Sequence, residues 1–307
     1  MLRGGRYIAV VVAVVLAAAG CTRPPAGTDG RLTDGWPPFP AASPLVPVAG
    51  TCYTFRTGFF PDQVLVAGAF TGTPVDCATQ DHRLETAYVG TFPAADAAQP
   101  TPPADGSPAQ RAAYDTCQQQ ASRYLGGDWR TAMVWLTLVQ PAVSTWRVGA
   151  RWYRCDLGHL KAPLQPVAVE TGSVRDGLRG SAPLAITCVT MQTNSTNEIM
   201  FIDPADCARP HTAEFAGSFV ASDGGWPDTE AAAALADRGC REVVARFLGY
   251  ASFAEADNRQ IAPWSGLFLK QSWELGDRSV PCFAYATTPS RVLVGSVRGI
   301  RSRTPRS

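Results

Sequence analysis

His82 with Glu85, and His211 with Glu214, stand as two His-x2-Glu pairs in a chain that has only three histidines. An imidazole beside a carboxylate is a common general-base arrangement, and either pair would also serve as a polar hook for a ligand. The spacing favours a structural role, because residues three apart on a strand point to opposite faces. Trp146 and Arg151 recur as Trp273 and Arg278 within Trp-x2-Gly-x-Arg-x3-Cys, aligned without a gap. The arginines would bind an anionic group bidentately or brace the turn beside them. The tryptophans would stack on a sugar ring or plug a core. Bracing and plugging are the stronger readings. His159 has no counterpart and is expected at the surface. There is no Gly-x-Ser-x-Gly elbow, no His-Glu-x2-His and no phosphate loop. We therefore expect no catalytic residues, no enzyme activity and no cofactor.

The cysteines organise what must hold these residues. Of nine, one lies near the N-terminus and eight follow as two sets of four: Cys52, Cys77, Cys117 and Cys155, then Cys188, Cys207, Cys240 and Cys282. Asp76-Cys77-Ala78 matches Asp206-Cys207-Ala208, and Cys117-x5-Arg-Tyr-Leu-Gly matches Cys240-x5-Arg-Phe-Leu-Gly. Gly172-Ser173-Val174-Arg175 matches Gly295-Ser296-Val297-Arg298. This order of matches implies two repeats. An even set in an exported chain pairs as disulfides, each contributing about 2–4 kcal/mol. With pairing inside each set, three connectivities remain open. No Cys-x2-Cys spacing is present, so no metal site is expected.

The elements expected around these residues are α+β: two tandem homologous domains, residues 50–180 and 185–302, each a small, mainly antiparallel sheet with one packed helix and two disulfides. The first helix should start at Ser107, with Pro108 at the first helical position and Gln110 closing a capping box. The second should start at Asp228. Gly126 and Gly249 suit the left-handed residue that ends a helix. Cys117, Ala121 and Tyr124 form one apolar stripe, as do Cys240, Val244 and Phe247. Residues 133–139 and 267–269 are expected as strands. Pro281 suggests an edge strand. Residues 93–110, rich in Ala and Pro, suggest a flexible loop peculiar to the first repeat.

The N-terminus carries Arg3 and Arg6, then an apolar run from Tyr7 to Ala19, too short to span a bilayer comfortably. Residues 1–20 are expected to be a signal peptide. It ends in Leu16-Ala17-Ala18-Ala19-Gly20-Cys21, similar to the lipobox of bacterial lipoproteins, which makes Cys21 the lipidated residue. Two acyl chains would hold the protein on the membrane. Residues 21–49, with Pro24, Pro25, Pro37, Pro38, Pro40, Pro44 and Pro47, read as a tether whose reach is at most on the order of 85 Å. A net charge of +1 with 46% hydrophobic residues argues against disorder and against nucleic-acid binding through bulk charge.

Thr51-Cys52-Tyr53, Cys-x3/4-His-x2-Glu, the helical cysteine, Trp-x2-Gly-x-Arg-x3-Cys and Gly-Ser-Val-Arg together resemble the bacterial septum formation domain family. His82 departs from the pattern, lying five residues after Cys77 with no proline before it, whereas His211 follows Pro210. The family occurs largely in actinobacteria, on lipoproteins and membrane proteins with exposed domains. The resemblance implies two copies over roughly 52–302 and a lipid-anchored protein on the extracytoplasmic face of the cell membrane. It implies a binding or scaffolding role among cell-division or cell-wall proteins. Alternatives are a receptor for a small molecule or cell-wall glycan, lined by Trp and Arg, and an envelope hydrolase using His and Glu.

Overall fold

Residues of high strand propensity flank the first, second and fourth cysteine of each set, and they form two antiparallel sheets. The computed structural model describes residues 45–54, 72–163, 165–195, 199–256, 260–287 and 292–306. The expected signal peptide, Cys21 and most of the tether lie outside these residues. The first sheet contains Cys52–Thr54 (β1), Thr73–Val75 (β2), Leu84–Thr91 (β3), Val134–Val139 (β4) and Trp152–His159 (β5), in the order β2-β1-β3-β5-β4. The second contains Cys188–Thr193 (β6), Ile199–Ala205 (β7), Ala213–Val220 (β8), Ile261–Ser265 (β9) and Ser279–Ala286 (β10), in the order β7-β6-β8-β10-β9. The two orders are equivalent position by position.

One long helix lies on each sheet. After a short first helix, Ala94–Ala97 (α1), come Pro108–Leu125 (α2) in the first half and Thr229–Leu248 (α4) in the second. The Ser107 hydroxyl accepts from the Gln110 N–H at 3.3 Å, and Pro108 stands at the first position. Gln110 reaches back one residue further than a capping box requires, accepting from the Gly106 N–H at 2.8 Å. The Asp228 carboxylate accepts from the Ala231 N–H at 2.8 Å. Gly126 and Gly249 end the helices at φ of 84° and 96°, where a Cβ would be strained.

The helices bury Cys117 and Cys240 against the central strands, and these bond to Cys155 and Cys282. The remaining bridges are Cys52–Cys77 and Cys188–Cys207. The connectivity in each half is therefore first to second and third to fourth. Each helix crosses its sheet over the strand that carries the fourth cysteine, so third and fourth face each other.

Three expectations need correction. Pro281 is not on an edge: β10 pairs with β8 on one side and β9 on the other. The proline is tolerated because β9 pairs only from Cys282 onward, and Gly266 donates to the Pro281 carbonyl at 2.9 Å just past its end. The missing Pro281 N–H therefore removes half of a terminal pair, not a ladder bond. Secondly, residues 267–269 are not a strand. The strand is β9, and Leu267 is exposed while Phe268 enters the core, leading into the helix Lys270–Leu275 (α5). Its counterpart in the first half is Val143–Arg147 (α3). Thirdly, the 93–110 segment contains α1 and is pinned to the fold. Its carbonyls at Ala97, Gln99 and Pro103 accept from Arg151, Trp146 and Gln140.

The outer faces of the sheets differ at matching positions. In the second sheet, the pair Phe215 and Phe283 meets edge-on at 5.6 Å within a cluster with Val189, Met191 and Ile202. In the first, the equivalent pair is Thr86 and Asp156, whose hydroxyl and carboxylate bond at 2.7 Å. Asp156 also pairs with Arg154 at 2.8 Å, and that guanidinium lies 4.0 Å from the centroid of the Tyr53 ring. Burial pushes the Asp156 carboxyl above its ordinary value, with Arg154 and Thr86 pulling against it.

Residues 43–307 form one compact unit, and the two halves make contact inside it. Leu275, from the second half, is buried within the core cluster of the first, beside residues such as Tyr114 and Leu125. The Ser218 hydroxyl donates to the Arg130 carbonyl at 3.3 Å. Asp277 accepts from the Ser279 N–H and hydroxyl at 3.1 and 2.6 Å. Its carboxyl is held up by burial against the pull of those bonds and of the Arg130 charge from the other half. Leu275→Ala should cost about 2–5 kcal/mol. Although the mutation is in the second half, amide exchange should speed up in α2 of the first half as well.

Candidate functional site

The two repeated His/Glu pairs sit where β3 and β8 begin, close to the segments that return after the fourth cysteine. Glu85 and Glu214 are 2% and 7% exposed. Each reaches the Gly-Ser-Val-Arg motif of its own half. Glu85 accepts from the Ser173 hydroxyl at 2.6 Å and the Val174 N–H at 2.7 Å, while Glu214 accepts from the Ser296 hydroxyl and Val297 N–H at 2.6 and 2.7 Å. The serine hydroxyls in turn accept from the N–H of Arg175 and Arg298. Those arginines cover Tyr124 and Phe247, at 4.4 and 4.5 Å from the ring centroids. Each carboxylate thus joins strand, returning turn and helix. Sequence reasoning recognised the motif as a repeated end marker and missed this role. The signal was available, since the motif recurs wherever the glutamate does.

The halves differ in one donor. The Tyr124 hydroxyl also donates to Glu85, in a short bond, whereas Phe247 has none to give. The Tyr124 phenol is pushed up to about 12, by burial first and by the Glu85 bond and charge next, with Arg175 opposing.

The histidines do not bond to the glutamates. His82 Nδ1 meets the Gln80 carbonyl at 3.0 Å and His211 Nδ1 meets the Arg209 carbonyl at 2.8 Å. A carbonyl only accepts, so Nδ1 carries the proton in both. Their backbones form matching bridges, His82 with Glu170 and His211 with Leu293.

Trp146 and Trp273 are 0% and 4% exposed, so neither ring offers a face for stacking on a sugar. Their indole N–H groups donate to loop carbonyls, Trp146 to Gln99 at 2.8 Å and Trp273 to Gly224 at 2.9 Å. Gly149 and Gly276 turn at positive φ, and the arginine folds back over the ring. The Arg151 guanidinium lies 4.3 Å from the Trp146 centroid and donates to the carbonyls of Trp146 at 2.6 Å, Ala150 at 2.8 Å, and Ala97. Arg278 lies 5.4 Å from the Trp273 centroid and pairs with Asp223 at 2.7 Å.

His159 is drawn into a polar recess rather than left on the open surface. It forms a short bond through Nδ1 to Glu170, and a cavity of about 110 Å³ is lined by these two residues together with His82, Glu85 and Ser173. Cys52, Cys77 and Glu85 also lie close together. The two sulfurs are bonded to each other, so that group has no thiolate for a metal.

A family model described as septum formation matches residues 49–282, a stretch running from the first sheet into the second. The chain belongs to the septum formation family. Two uncharacterized membrane proteins of Mycobacterium tuberculosis, from strains CDC 1551 and H37Rv, are each 27% identical to this septum formation chain over 245 residues. The match covers 74% of this chain and 53% of each relative, so the chain spans about half the length of the curated relatives it matches. No solved structure matches it.

Glu85→Ala would leave the Tyr124 and Ser173 hydroxyls and the Val174 N–H unpaired. It should cost at least about 3 kcal/mol in a denaturant titration. Tyr124→Phe, which copies the second half, should cost only about 1–3 kcal/mol. The raised Tyr124 value adds a pH signature. In the wild type its contribution is complete below pH about 10 and is lost as pH rises towards about 12. Stability of Tyr124→Phe should therefore fall less steeply than wild type across that window.

Proposed function

We propose that this chain is a lipoprotein held on the extracytoplasmic face of the cell membrane through Cys21, with a non-catalytic binding or scaffolding role in septum formation or cell-envelope assembly. Its two halves are tandem copies of one domain. Equivalent strand orders, equivalent disulfide pairs and equivalent glutamate contacts support the duplication. Family membership and the membrane-protein relatives support the envelope setting. Four disulfides suit an oxidising compartment, and among the described residues no helix is long and apolar enough to cross a membrane.

One observation carries the non-catalytic reading. Both repeated glutamates accept hydrogen bonds from a main-chain N–H and a serine hydroxyl of their own turns, and both histidines use Nδ1 on a carbonyl. The hydrolase alternative needs an imidazole and a carboxylate free to act together as acid and base. His82 and Glu85 line one recess, but Glu85 and Glu214 are committed to their own turns and the histidine Nδ1 atoms to carbonyls. The glycan-receptor alternative needs open tryptophan faces, and both rings are interior.

Cys21→Ala should move the protein from the membrane fraction to the soluble extracytoplasmic fraction. Retention of the variant on the membrane would sink the lipid-anchor reading. Crosslinking in intact cells with the acylated protein should capture division or cell-wall synthesis proteins, and capture of neither would count against the scaffolding role.

A further inference from the structure

The second sheet has an open edge. β7 is its outermost strand, and among the described residues no strand pairs with the free side. Met200 and Phe201 of β7 are 53% and 54% exposed. The direction of its main-chain groups follows from β6. The Val189 carbonyl accepts from the Thr212 N–H at 3.1 Å, and the Met191 N–H donates to the Thr212 hydroxyl at 2.7 Å, so both residues are turned towards β8. Across β6 and β7 they face Pro204 and Ile202. In an antiparallel pair, facing residues that do not bond to each other turn their main-chain groups outward. The Ile202 N–H and C=O and the Pro204 carbonyl therefore point to the open edge. The N–H that Pro204 lacks removes no bond to β6.

A groove of about 470 Å³ opens beside this strand. Phe201 and Asp203 form one wall, because they point to the face opposite Ile202, whose side chain lies in the apolar cluster of the outer face. Val167, Val169, Arg83 and Lys161 of the first half line it as well. The Asp203 carboxylate accepts from the Gln192 amide at 2.7 Å, and Arg83 donates to the Val167 carbonyl at 3.0 Å. Among the described residues neither Arg83 nor Lys161 pairs with a carboxylate. Two cations against one carboxylate leave the groove positive between apolar walls.

We propose that β7 takes one extended segment of a partner protein as an added strand, with an acidic side chain of that segment in the groove beside Arg83 and Lys161. Strand addition draws its affinity from main-chain bonds, here at Ile202 and Pro204, and its specificity from pockets that read alternate side chains. Two residues from the acid, on the same face of the added strand, an apolar side chain would cover the Phe201 ring. The proposal deepens the binding role given above and rests on it, because it supplies that role with a surface and a kind of partner.

The test is selection of a phage-displayed library of random ten-residue peptides on the full-length protein, followed by amide exchange. Selected peptides should combine an acidic residue with apolar residues at alternate positions. Lys161→Glu changes an exposed side chain and should keep the wild-type circular dichroism spectrum. It should weaken the selected peptides about 3–10-fold, and replacing the peptide's acid by lysine should restore binding to that variant. The Ile202 amide should exchange fast in the free protein and slowly in the complex. Protection of that amide in the free protein, by a second copy or by another segment of this chain, overturns the proposal. So does a library that yields no binders, or binders that hold Lys161→Glu as tightly as wild type. Peptides that pass these tests, with no division or cell-wall protein captured in cells, uphold the docking edge and remove only the septal role.

Discussion

The buried carboxylate of each His-x2-Glu pair is the constraint on which each half depends. A carboxylate with almost no access to water is costly unless hydrogen bonds compensate it. Glu85 and Glu214 obtain those bonds from a serine hydroxyl and a valine N–H in the returning Gly-Ser-Val turn. The turn can only supply them if the chain comes back from the fourth cysteine to the start of β3 or β8. The arginine that ends the motif then lies over the aromatic residue of the helix. One acidic side chain thus couples the strand, the C-terminal return of its half and the helix. The disulfide from Cys117 or Cys240 ties the same helix to the neighbouring strand, β5 or β10.

The two halves show what a shared framework permits to vary. The caps, bridges, carboxylate locks and tryptophan clamps recur. The outer sheet faces do not: Phe215 against Phe283 becomes Thr86 against Asp156, with Arg154 beside it. The space beside the histidine is packed by Leu293 in one half and is an open polar recess in the other. A shared framework allows one half to be stable by apolar packing while the other carries buried polar groups that depend on complete pairing. The halves then dock through Leu275, which sits in the first core and leaves that core incomplete without the second half.

Much of this architecture was legible in the residues. Ser107, Asp228, Gly126 and Gly249 announced both long helices because capping depends on a few local groups and on one left-handed residue. The matching of eight cysteines, two His-x2-Glu pairs and two Trp-x2-Gly-x-Arg runs announced equivalent halves, because such matches survive in the linear order. The family resemblance drew on the same residues. Where local signals competed with packing, the reading failed. Pro281 suggested an edge because a proline lacks a ladder donor, yet β9 ends opposite Cys282, so no strand residue on that side calls for the missing N–H. Leu267-Phe268-Leu269 is apolar enough for a strand, but only Phe268 faces the core.

The sequence by itself determined the class of fold, the two sets of four cysteines, the helix ends and the repeated polar residues, all properties of local chemistry and spacing. Only the tertiary structure chose one disulfide connectivity of three, tied Glu85 and Glu214 to turns more than eighty residues away, and put Trp146 and Trp273 inside. It also brought His159, the histidine with no counterpart, beside Glu170 and His82. Those outcomes depend on which strand lies next to which and on what the helix covers. Contacts of that range follow from the packing of the whole half and leave no periodic or local trace in the chain.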